Sequence, residues 1–466
     1  MAEAVYDAWL KTVARDPRKK LLVDSANDKE WSARAIHEAV ESLDRDLPGA
    51  GSWERRIVLL HLSNSVDWLT AFLLGQKRNA IVVPVDPDVA PGTLQSLRER
   101  FPVIATRTPS GFEHAPASEP QKGLKNRPFR FSACLIKLTS GATGSPRALF
   151  FTDGEMLADA RQVARTMGLR GDDRNHAIIP FGHSYGLGNL VFPLIVDGVP
   201  SVLGRDIFPA GIAADFERRQ PTFFPATPAI LRALAESDVP SVSFRSLRRV
   251  ISAGSFLPSE TARAFKERFQ RAPHNFYGSS ETGGIAYDRT GEATLSGRSV
   301  GAPLEGVRVI AGPSGRLKAI SPAVHTRYNR NRTDGLGVHT LADFGDILEN
   351  GEIRLTGRKR TILKIGGRRL DPRELESYLL SHSDVAHAFV DLYSEADGNP
   401  RIALVYEGPA SPESLRSRLR ETFPSWKIPR TIIPHKFPVT RRGKIRLEDL
   451  RRLVQQSVPG AETPGG

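Results

Sequence analysis

Residues 138–151 read LTSGATGSPRALFF, and this stretch indicates more about the fold and its use than any other. Within six positions it contains only small residues, five of them hydroxyl-bearing or glycine: Thr139, Ser140, Gly141, Thr143 and Gly144. Glycines let backbone N–H groups turn inward, hydroxyls add donors, and Arg147 supplies a cation, a combination that suits a phosphate. The spacing differs from the G-x-x-x-x-G-K-[ST] loop, and on composition alone a polar surface turn is an equal alternative.

Length and composition predict a globular protein of two or three domains. The chain has 466 residues, of which 40% are hydrophobic and 25% charged. Its one cysteine, Cys134, excludes an intrachain disulfide and indicates a reducing compartment, so we expect a cytoplasmic protein. Cys134 lies in the apolar run FSACLIKL and is predicted to be a buried structural thiol. The N-terminus MAEAVYDAW is acidic and lacks an apolar signal core.

One uncharged segment is long enough to be compared with a transmembrane helix. No Asp, Glu, Lys or Arg occurs between Arg174 and Asp197, which approaches the roughly 20 residues that cross a bilayer. The segment includes His176, His183, Asn189 and two prolines, however, so it predicts a buried strand, loop and helix. We therefore expect no transmembrane segment.

The chain is basic, with a formal net charge of +13 and a pI near 9.9. Such an excess suits a polyanionic partner such as nucleic acid, a phosphorylated cofactor or an acidic protein, although a generally basic proteome is an alternative. No signature of a nucleic-acid-binding module accompanies the charge, and we expect no nucleic-acid partner.

The first three quarters of the chain alternate between short apolar runs and helical patterns. Runs at 56–61, 80–84 and 133–138 are typical of buried strands, and helices are predicted at Asp67 to Lys77 and Thr93 to Arg100. Alternation of this kind predicts an α/β fold, a large multi-layer N-terminal domain with mostly parallel sheets.

The pattern changes after about residue 355, where a basic segment leads into a compact α+β unit. We place the border so that residues 1–356 form the large domain and residues 357–466 a small C-terminal domain. Its predicted elements are a helix from Asp371 to Leu380, strands at 386–392 and 401–406, and a helix at 411–421.

A second glycine-bearing cluster is NFYGSSETGG at residues 275–284. Tyr277 offers a flat face for a purine base, and Ser279 and Ser280 offer hydroxyls. Glu281 offers a hard oxygen ligand for Mg²⁺ beside phosphates. A polar turn is the alternative if the cluster is taken alone.

A third cluster, HTLADFGDILENGEI at residues 339–353, places two carboxylates near a strand end. Asp343 and Asp346 both compete for the hydroxyls of a ribose. Glu349 to Gly351 is predicted to be a hairpin turn.

The fourth cluster, PVTRRGKIRL at residues 438–447, presents Lys444 just after a glycine in a basic loop. An ammonium there could bridge a carboxylate and a phosphate. A solvated lysine is the more common role for such a residue taken alone.

Taken in order, these clusters resemble the adenylate-forming superfamily of acyl- and aryl-CoA synthetases, peptide-synthetase adenylation domains and luciferases, over about residues 30–452. Eight segments match in register, the first being residues 62–87. The others are LTSGATGSPR, IIPFGHSYGLGN, SAGSFLP, YGSSETGG, LADFG, GRKRTILKIGGRRLDPRELE and RRGKI.

The resemblance implies an enzyme that activates a carboxylic acid with ATP and Mg²⁺ to an acyl-adenylate, then passes the acyl group to a thiol. It implies phosphate contacts from Thr139, Ser140, Gly141, Thr143, Gly144 and Ser280. It implies Glu281 as the Mg²⁺ ligand. It implies an adenine site at Gly254, Ser255 and Tyr277, and a ribose site at Asp343 with Arg358 nearby.

The resemblance also implies that the small domain is mobile. Lys444 would neutralise charge between the substrate carboxylate and the α-phosphate during adenylation. Rotation of the domain would then remove Lys444 and bring Gly366 and Gly367 to line a channel for a pantetheine arm. Arg360 occupies the hinge position of the family.

Two positions depart from the family pattern. Arg147 stands where the family usually has lysine, and Arg360 where Asp or Lys is common. The loop SPAVHTRYNRNRTDG is also unusually basic. Because Lys444 and Glu281 are kept, we expect activity; a non-catalytic relative that binds nucleotide or acyl group is the alternative, and a luciferase-like oxygenase is disfavoured.

The sequence specifies the substrate acid and the thiol acceptor less closely than the type of reaction. His183 borders the predicted acyl pocket, where gating or packing is favoured over general-base catalysis. Other wall candidates are Gly182, Gly186, Gly188, Thr227, Ala253 and Gly278. No carboxylate of the amino-acid-clamping type occurs near residues 181–189, which favours a fatty or aromatic acid. Coenzyme A is favoured as acceptor over the phosphopantetheine of a separate acyl carrier protein.

Overall fold

The computed structural model describes residues 3–47, 53–87, 89, 91–114, 133–139, 147–325, 332–333, 336–358, 363–365, 368–394, 400–438 and 447–457. The chain forms two compact units. The first comprises Met1–Pro313, Leu317–Leu341 and Asp346–Arg354, and the second comprises Ser314–Arg316, Ala342–Gly345 and Leu355–Gly466.

Several helices begin at a short polar side chain that caps them. Ser65 Oγ accepts a hydrogen bond from Trp68 N at 3.1 Å, and Thr152 and Glu155 form a capping box. The helices are α1 Val5–Arg15, α2 Ala33–Asp46, α3 Val66–Lys77, α4 Pro91–Arg100, α5 Asp153–Met167, α6 Ser184–Gly186, α7 Phe192–Asp197, α8 Pro209–Arg219, α9 Pro228–Ala235, α10 Ser259–Phe269, α11 Glu292–Ser296, α12 Pro372–Leu380, α13 Pro412–Thr422 and α14 Leu447–Ser457. A π-helical turn, Leu187–Val191, joins α6 to α7, and 3₁₀ turns span Ser241–Phe244 and Ser425–Lys427.

The strands of the described ranges fall into five sheets. In chain order they are β1 Lys20–Asp24, β2 Lys29–Ser32, β3 Ile57–His61, β4 Ile81–Val85, β5 Val103–Thr108, β6 Gly111–His114, β7 Ala133–Thr139, β8 Arg147–Thr152, β9 Asn175–Ala177, β10 Ser201–Leu203, β11 Phe223–Ala226, β12 Arg249–Ser252, β13 Pro273–Ser279, β14 Gly283–Tyr287, β15 Ala302–Pro303, β16 Arg308–Ala311, β17 Arg316–Ser321, β18 Arg332–Thr333, β19 Leu336–Ile347, β20 Ile353–Arg358, β21 Leu363–Ile365, β22 Arg368–Leu370, β23 His387–Ser394, β24 Pro400–Glu407 and β25 Thr431–Pro434.

Two largely parallel sheets form the first unit's framework. One has the order β15-β14-β13-β12-β11-β9-β10-β1-β2, and its six strands from β13 to β1 run parallel. The other has the order β6-β5-β3-β4-β7-β8, with β5, β3, β4 and β7 parallel. Helix α3 is buried on every face from Trp68 to Gln76, as expected of a helix enclosed within a multi-layer core.

A smaller three-stranded sheet, β23-β24-β25, organises the second unit. Alternate residues of its strands face two different cores. Val390 and Leu404 pack with helices α12 and α13, whereas Phe389 and Val405 pack with Leu450 of α14. The period of two along each strand thus lets one sheet hold helices on both faces. The predicted fold class, a large α/β unit with mostly parallel sheets plus a small α+β unit, is confirmed.

The predicted elements agree closely with the observed ones. The helix predicted from Asp67 to Lys77 is α3, and the helix predicted at 411–421 is α13. The uncharged segment folds as β9, α6, the π-helical turn and α7, and no helix in the described ranges is both long and apolar enough to cross a membrane. Cys134 is buried, and burial raises the pKa of its thiol well above the ordinary value.

Candidate functional site

Several predicted site residues follow the carboxyl ends of neighbouring parallel strands. Thr227 follows β11, Gly254 and Ser255 lie just beyond β12, and Ser280 and Glu281 lie just beyond β13. Because parallel strands bring their carboxyl ends to the same edge of a sheet, these loops share one edge. In open α/β sheets this edge is where ligands bind.

A direct contact joins two of the predicted motifs. Ser184 Oγ donates to Ser280 Oγ at 3.1 Å, which connects the HSYGLGN segment to the YGSSETGG segment. Tyr185 anchors the first segment, since its hydroxyl donates to Ile251 O at 3.1 Å and its ring stacks on Phe276. His183, half-buried, is the N-cap of α6. The segment predicted to border the acyl group therefore meets, at this edge of the sheet, the segment that contains Ser280, the predicted α-phosphate contact.

Asn64, which follows β3 of the second sheet, binds the backbone of the residues that lead to His183. Its Nδ2 donates to Ala177 O and Ile179 O at 3.2 and 2.8 Å, and its Oδ1 accepts from Phe181 N at 2.6 Å. Trp68 then packs edge-on against the ring of Phe181. Asn64 was not predicted to have a role, because its partners lie more than 110 residues away in the chain.

The turn that contains Glu281 is closed by its own hydrogen bonds. Thr282 N donates to Ser279 O at 3.3 Å, and the hydroxyls of the same two residues lie 3.0 Å apart. The carbonyl of Glu281 accepts from His325 N at 3.2 Å. Burial lowers the pKa of His325 to about 4, and its ring lies edge-on to Phe151.

The donor set around Glu281 fits Mg²⁺ held mainly by a nucleotide. Within the described ranges, no group of three or more His, Cys, Asp and Glu side chains could hold a metal without help. Mg²⁺ is commonly bound by one or two carboxylates together with substrate phosphates and water. Glu281, next to Ser280 in the chain, is the predicted carboxylate of this kind.

Helix α5 supports this turn through a stripe of buried polar residues at helical spacing, namely Glu155, Asp159, Gln162 and Thr166. Gln162 Nε2 donates to Gly306 O at 3.1 Å, and Thr166 Oγ1 accepts from Glu305 N at 2.9 Å. Asp159 Oδ1 accepts from Gly284 N at 2.9 Å. The stripe thus ties helix α5 to the backbone of residues 284–306.

Asp159 also reaches the acyl-pocket segment. A Cβ added to Gly188 would lie 3.4 Å from Asp159 Oδ2, and one added to Gly283 would lie 2.2 Å from Oδ1. In the sequence, no carboxylate of the amino-acid-clamping type lies near residues 181–189. In the folded chain, Asp159 on helix α5 lies close to Gly188 of this segment.

Lys137 is a second residue that the sequence analysis did not assign. It lies on β7 and is only 3% exposed, with Nζ 4.2 Å from the centre of the Phe151 ring. Burial lowers its pKa, while the carboxylates of Asp159 and Glu281 act in the opposite direction. A buried ammonium therefore lies within electrostatic reach of the predicted metal ligand.

The two ends of the predicted phosphate loop are adjacent. Thr139 at the end of β7 is the register partner of Arg147 at the start of β8, and the side chain of Arg147 is exposed. The rest of the loop, with Ser140, Gly141, Thr143 and Gly144, lies outside the described residues. The strand pair fixes where the loop begins and ends.

The predicted adenine residues lie at the same edge. Gly254 has a φ of +92°, a left-handed conformation that glycine adopts without strain. Ser255 is exposed, and Tyr277 is half-buried on β13 opposite Ala286. Their roles toward a nucleotide remain predictions.

The glycines proposed to make room for an acyl group have other neighbours. A Cβ at Gly186 would lie 2.0 Å from Pro180 O, and one at Gly182 would lie 2.8 Å from Pro84 Cβ. Glycine is thus needed at these two positions because neighbouring atoms of the protein leave no room for a Cβ. At Gly278 the nearest atom would be Gly283 O at 2.7 Å, within the turn itself. Ala253, another wall candidate, is buried beyond β12.

Other predicted residues belong to the second unit. Asp343 is half-buried on β19, next to Phe344, whose ring lies beneath the Arg373 guanidinium. Arg358 ends β20, and nothing is described of its side chain. The competing carboxylate, Asp346, instead pairs with Arg354 at 2.9 Å in the first unit. Lys444, Gly366, Gly367 and Arg360 lie outside the described residues.

Comparison with known proteins supports the resemblance. Residues 102–315 match the family model described as AMP-binding enzyme. The chain is 27% identical over 344 residues to the benzoate–CoA ligase of Thauera aromatica, covering 68% of this chain and 65% of the ligase. It is 25% identical over 481 residues to the probable non-canonical nonribosomal peptide synthetase CymA of Salinispora arenicola (strain CNS-205), covering 96% of this chain.

The fold has a close structural counterpart as well. The ATP-bound crystal structure of MatB from Rhodopseudomonas palustris superimposes with a TM-score of 0.77 at 17% identity, covering 97% of this chain and 99% of MatB. The chain spans only 6% of the length of CymA and 65% of the benzoate–CoA ligase. The predicted resemblance to adenylate-forming enzymes is confirmed.

Proposed function

We propose, from the match of residues 102–315 to the AMP-binding enzyme family model, that this chain activates a carboxylic acid with ATP. The products of the first step would be an acyl-adenylate and pyrophosphate. A thiol would then accept the acyl group and release AMP. Coenzyme A is the favoured thiol, and the phosphopantetheine of a separate acyl carrier protein is the alternative.

The contact between Ser184 and Ser280 is the observation that supports this proposal most strongly. It joins the segment predicted to border the acid to the segment predicted to touch the α-phosphate, at 3.1 Å. An adenylating enzyme must hold the carboxylate of its substrate next to the α-phosphorus, because holding two reactants in the right geometry removes much of the barrier. The contact between the two segments supports such an arrangement of acid and α-phosphate.

In the first step, adenylation, each predicted site residue would have a separate role. A carboxylate oxygen attacks the α-phosphorus, the bond from that phosphorus to the bridging oxygen breaks, and pyrophosphate leaves with the bond's electrons. Ser280 would donate to an α-phosphate oxygen, and Thr139 with the following loop would hold the departing phosphates. Glu281 would hold Mg²⁺, which supplies positive charge to the phosphate oxygens. Lys444 would neutralise the approaching carboxylate.

The second step requires Lys444 to withdraw. Attack of the thiol sulfur on the acyl carbonyl expels AMP, and the thiol proton goes to solvent. Residues 357–466 would rotate between the steps, which is a known way of exposing two catalytic surfaces in turn. Gly366 and Gly367, having no Cβ, would let the pantetheine arm pass close to the backbone.

A basic cleft on the second unit is consistent with an acidic acceptor. Arg416, Arg420 and Arg430 line it together with Phe423 and Ile428. Coenzyme A and acyl carrier proteins are both polyanionic, so the cleft supports the proposed class of acceptor and leaves both members of it open.

A panel of fatty and aromatic acids, assayed in parallel with coenzyme A and with carrier protein, tests the proposal. We expect acid-dependent pyrophosphate release and thioester formation with at least one acid. ATP binding without turnover on any acid would instead identify a non-catalytic relative, and acid-dependent oxygen uptake would identify an oxygenase.

A further inference from the structure

Asp159 and Lys137 are two buried charged residues to which the proposed chemistry assigns no role. Asp159 is 4% exposed and Lys137 is 3% exposed. Charges are seldom buried to this extent unless they are paired, because removing an ion from water is costly. Their location, between the phosphate-loop strand and the Glu281 turn, calls for a function.

Asp159 fixes the far side of the Glu281 turn. Its Oδ1 accepts from Gly284 N at 2.9 Å, three residues beyond Glu281. Gly283 approaches so closely that a Cβ there would overlap the same carboxylate, and its φ is +71°. The carboxylate therefore binds the backbone of Gly284 and lies against Gly283, where the turn can approach it only without a side chain.

Lys137 connects the carboxylate to the phosphate loop. It lies two residues before Thr139, at the end of β7, and its Nζ lies 4.2 Å from the centre of the Phe151 ring on the paired strand β8. Burial lowers the pKa of Lys137, and the carboxylates of Asp159 and Glu281, which belong to different elements, oppose that shift.

Anchoring alone does not account for a charge at position 159. Gln162 and Thr166 occupy the same stripe of helix α5 and bind backbone groups as neutral side chains. A neutral residue at 159 could bind Gly284 N in the same way. Burial raises the pKa of Asp159 and lowers the pKa of Lys137, and each side chain opposes the shift of the other, which indicates an electrostatic purpose at this point of the stripe.

We propose that Asp159, together with Lys137, is a positioning element that holds the Ser279–Gly284 turn and aims Glu281 at the metal-bound triphosphate. The proposal rests on the proposed function, because Glu281 is the metal ligand only if the chain binds Mg²⁺ with ATP. Lys137 balances the two carboxylates until the metal and nucleotide arrive. It lies on β7, two residues before Thr139 at the start of the phosphate loop.

The test compares variants by the gain in ATP affinity that Mg²⁺ provides, measured by calorimetry with Mg²⁺ and with EDTA. Asp159→Ala should reduce that gain by about 10-fold or more, as loss of a group that orients a metal ligand does. Lys137→Met should reduce it as well. The double variant Lys137→Met/Asp159→Asn, which removes both charges and keeps an acceptor for Gly284 N, should recover most of it.

Asp215→Asn is the matched control. Asp215 is a fully buried carboxylate that accepts from a backbone amide, Arg205 N, at 3.1 Å and faces the cation of that arginine. Its other partners, Ser25 and His176, are not among the predicted site residues. It should lower thermal stability as the Asp159 variants do, without affecting the gain from Mg²⁺.

Hydrogen exchange of the amides of residues 279–287 gives a readout that needs no ligand. Asp159→Ala should speed exchange at Gly284, and Asp215→Asn should not. If wild type binds no ATP, the proposed function fails, and exchange alone decides whether Asp159 holds the turn. The positioning role is overturned if Asp159→Ala leaves both the gain from Mg²⁺ and the exchange unchanged, or if Asp215→Asn alters them equally.

Discussion

Replacing Gly186 by alanine should disrupt the site more than any other single methyl group added to the HSYGLGN segment. The new Cβ would lie 2.0 Å from Pro180 O and 2.8 Å from the carbonyl carbon of the same residue. Both contacts are with backbone, so no side chain can rotate away. Since real Cβ atoms essentially never come within 3.0 Å of such an atom, the segment must move by at least about 1 Å.

That displacement has two measurable costs. Overpacking of this kind destabilises a protein by about 1–3 kcal/mol, which urea unfolding will report. Ser184 lies two residues before Gly186 and contacts Ser280, so the same shift separates the two motifs. A 1 Å misplacement near a reacting centre can lower the rate about 100-fold, and pyrophosphate release with a turned-over acid will show it.

Gly188→Ala is the control for this prediction. Its Cβ would make an ordinary contact, 3.4 Å from Asp159 Oδ2, in the neighbouring turn of the same segment. We expect its stability to stay within about 1 kcal/mol of wild type, because alanine favours helical backbone. Equal stability and equal rates for Gly186→Ala and wild type would refute the reasoning.

Three further predictions concern other parts of the chain. Cys134 should resist thiol reagents at pH 8 in the native protein and react fully in urea, because burial raises its pKa; rapid native labelling would contradict this. Burial alone would raise the pKa of Asp173, but hydrogen bonds from Arg248 and others lower it, so its stabilising contribution is present above the unfolded pKa and lost as pH falls through the folded one. Asp173→Asn should therefore cost about 1–3 kcal/mol at pH 7 and progressively less as pH falls from the unfolded pKa toward the folded one, measured by urea unfolding, whereas a cost that does not fall with pH in this range would be inconsistent with the ion pair. Lys444→Ala should slow adenylation by about 100-fold or more while sparing thiolation of supplied acyl-adenylate, and Gly367→Trp should do the opposite; equal loss of both half-reactions in either variant would argue against the assigned roles.

Local sequence patterns predicted the framework well, because they reflect local physics. The apolar run at 133–138 is β7, and the pattern from Asp67 to Lys77 is α3. The turn at Glu349 to Gly351 also forms as predicted, with Leu348 N bonded to Glu352 O and Gly351 at a φ of +79°. Five predicted site residues, Thr227, Gly254, Ser255, Ser280 and Glu281, lie beyond the carboxyl ends of three neighbouring parallel strands, whereas Thr139 and Arg147 lie on a strand pair of the other sheet.

The supporting residues could not be predicted, because their partners are distant in the chain. Asp159 and Gly284 are separated by 125 positions, and no local pattern connects them. Asn64 likewise bonds to a segment more than 110 residues away. Lys137 did leave a signal, a lone cation inside the apolar run ACLIKL, but only the fold reveals that it is buried and that the carboxylate of Asp159 affects its pKa.

The most direct test of adenylation follows an oxygen atom. A substrate acid labelled with ¹⁸O in its carboxylate is incubated with ATP, Mg²⁺ and the accepting thiol, and the nucleotide product is examined by mass spectrometry. Attack of the carboxylate on the α-phosphorus predicts one ¹⁸O in AMP for each thioester formed. Label in inorganic phosphate, with ADP as the nucleotide product, would contradict the proposed reaction.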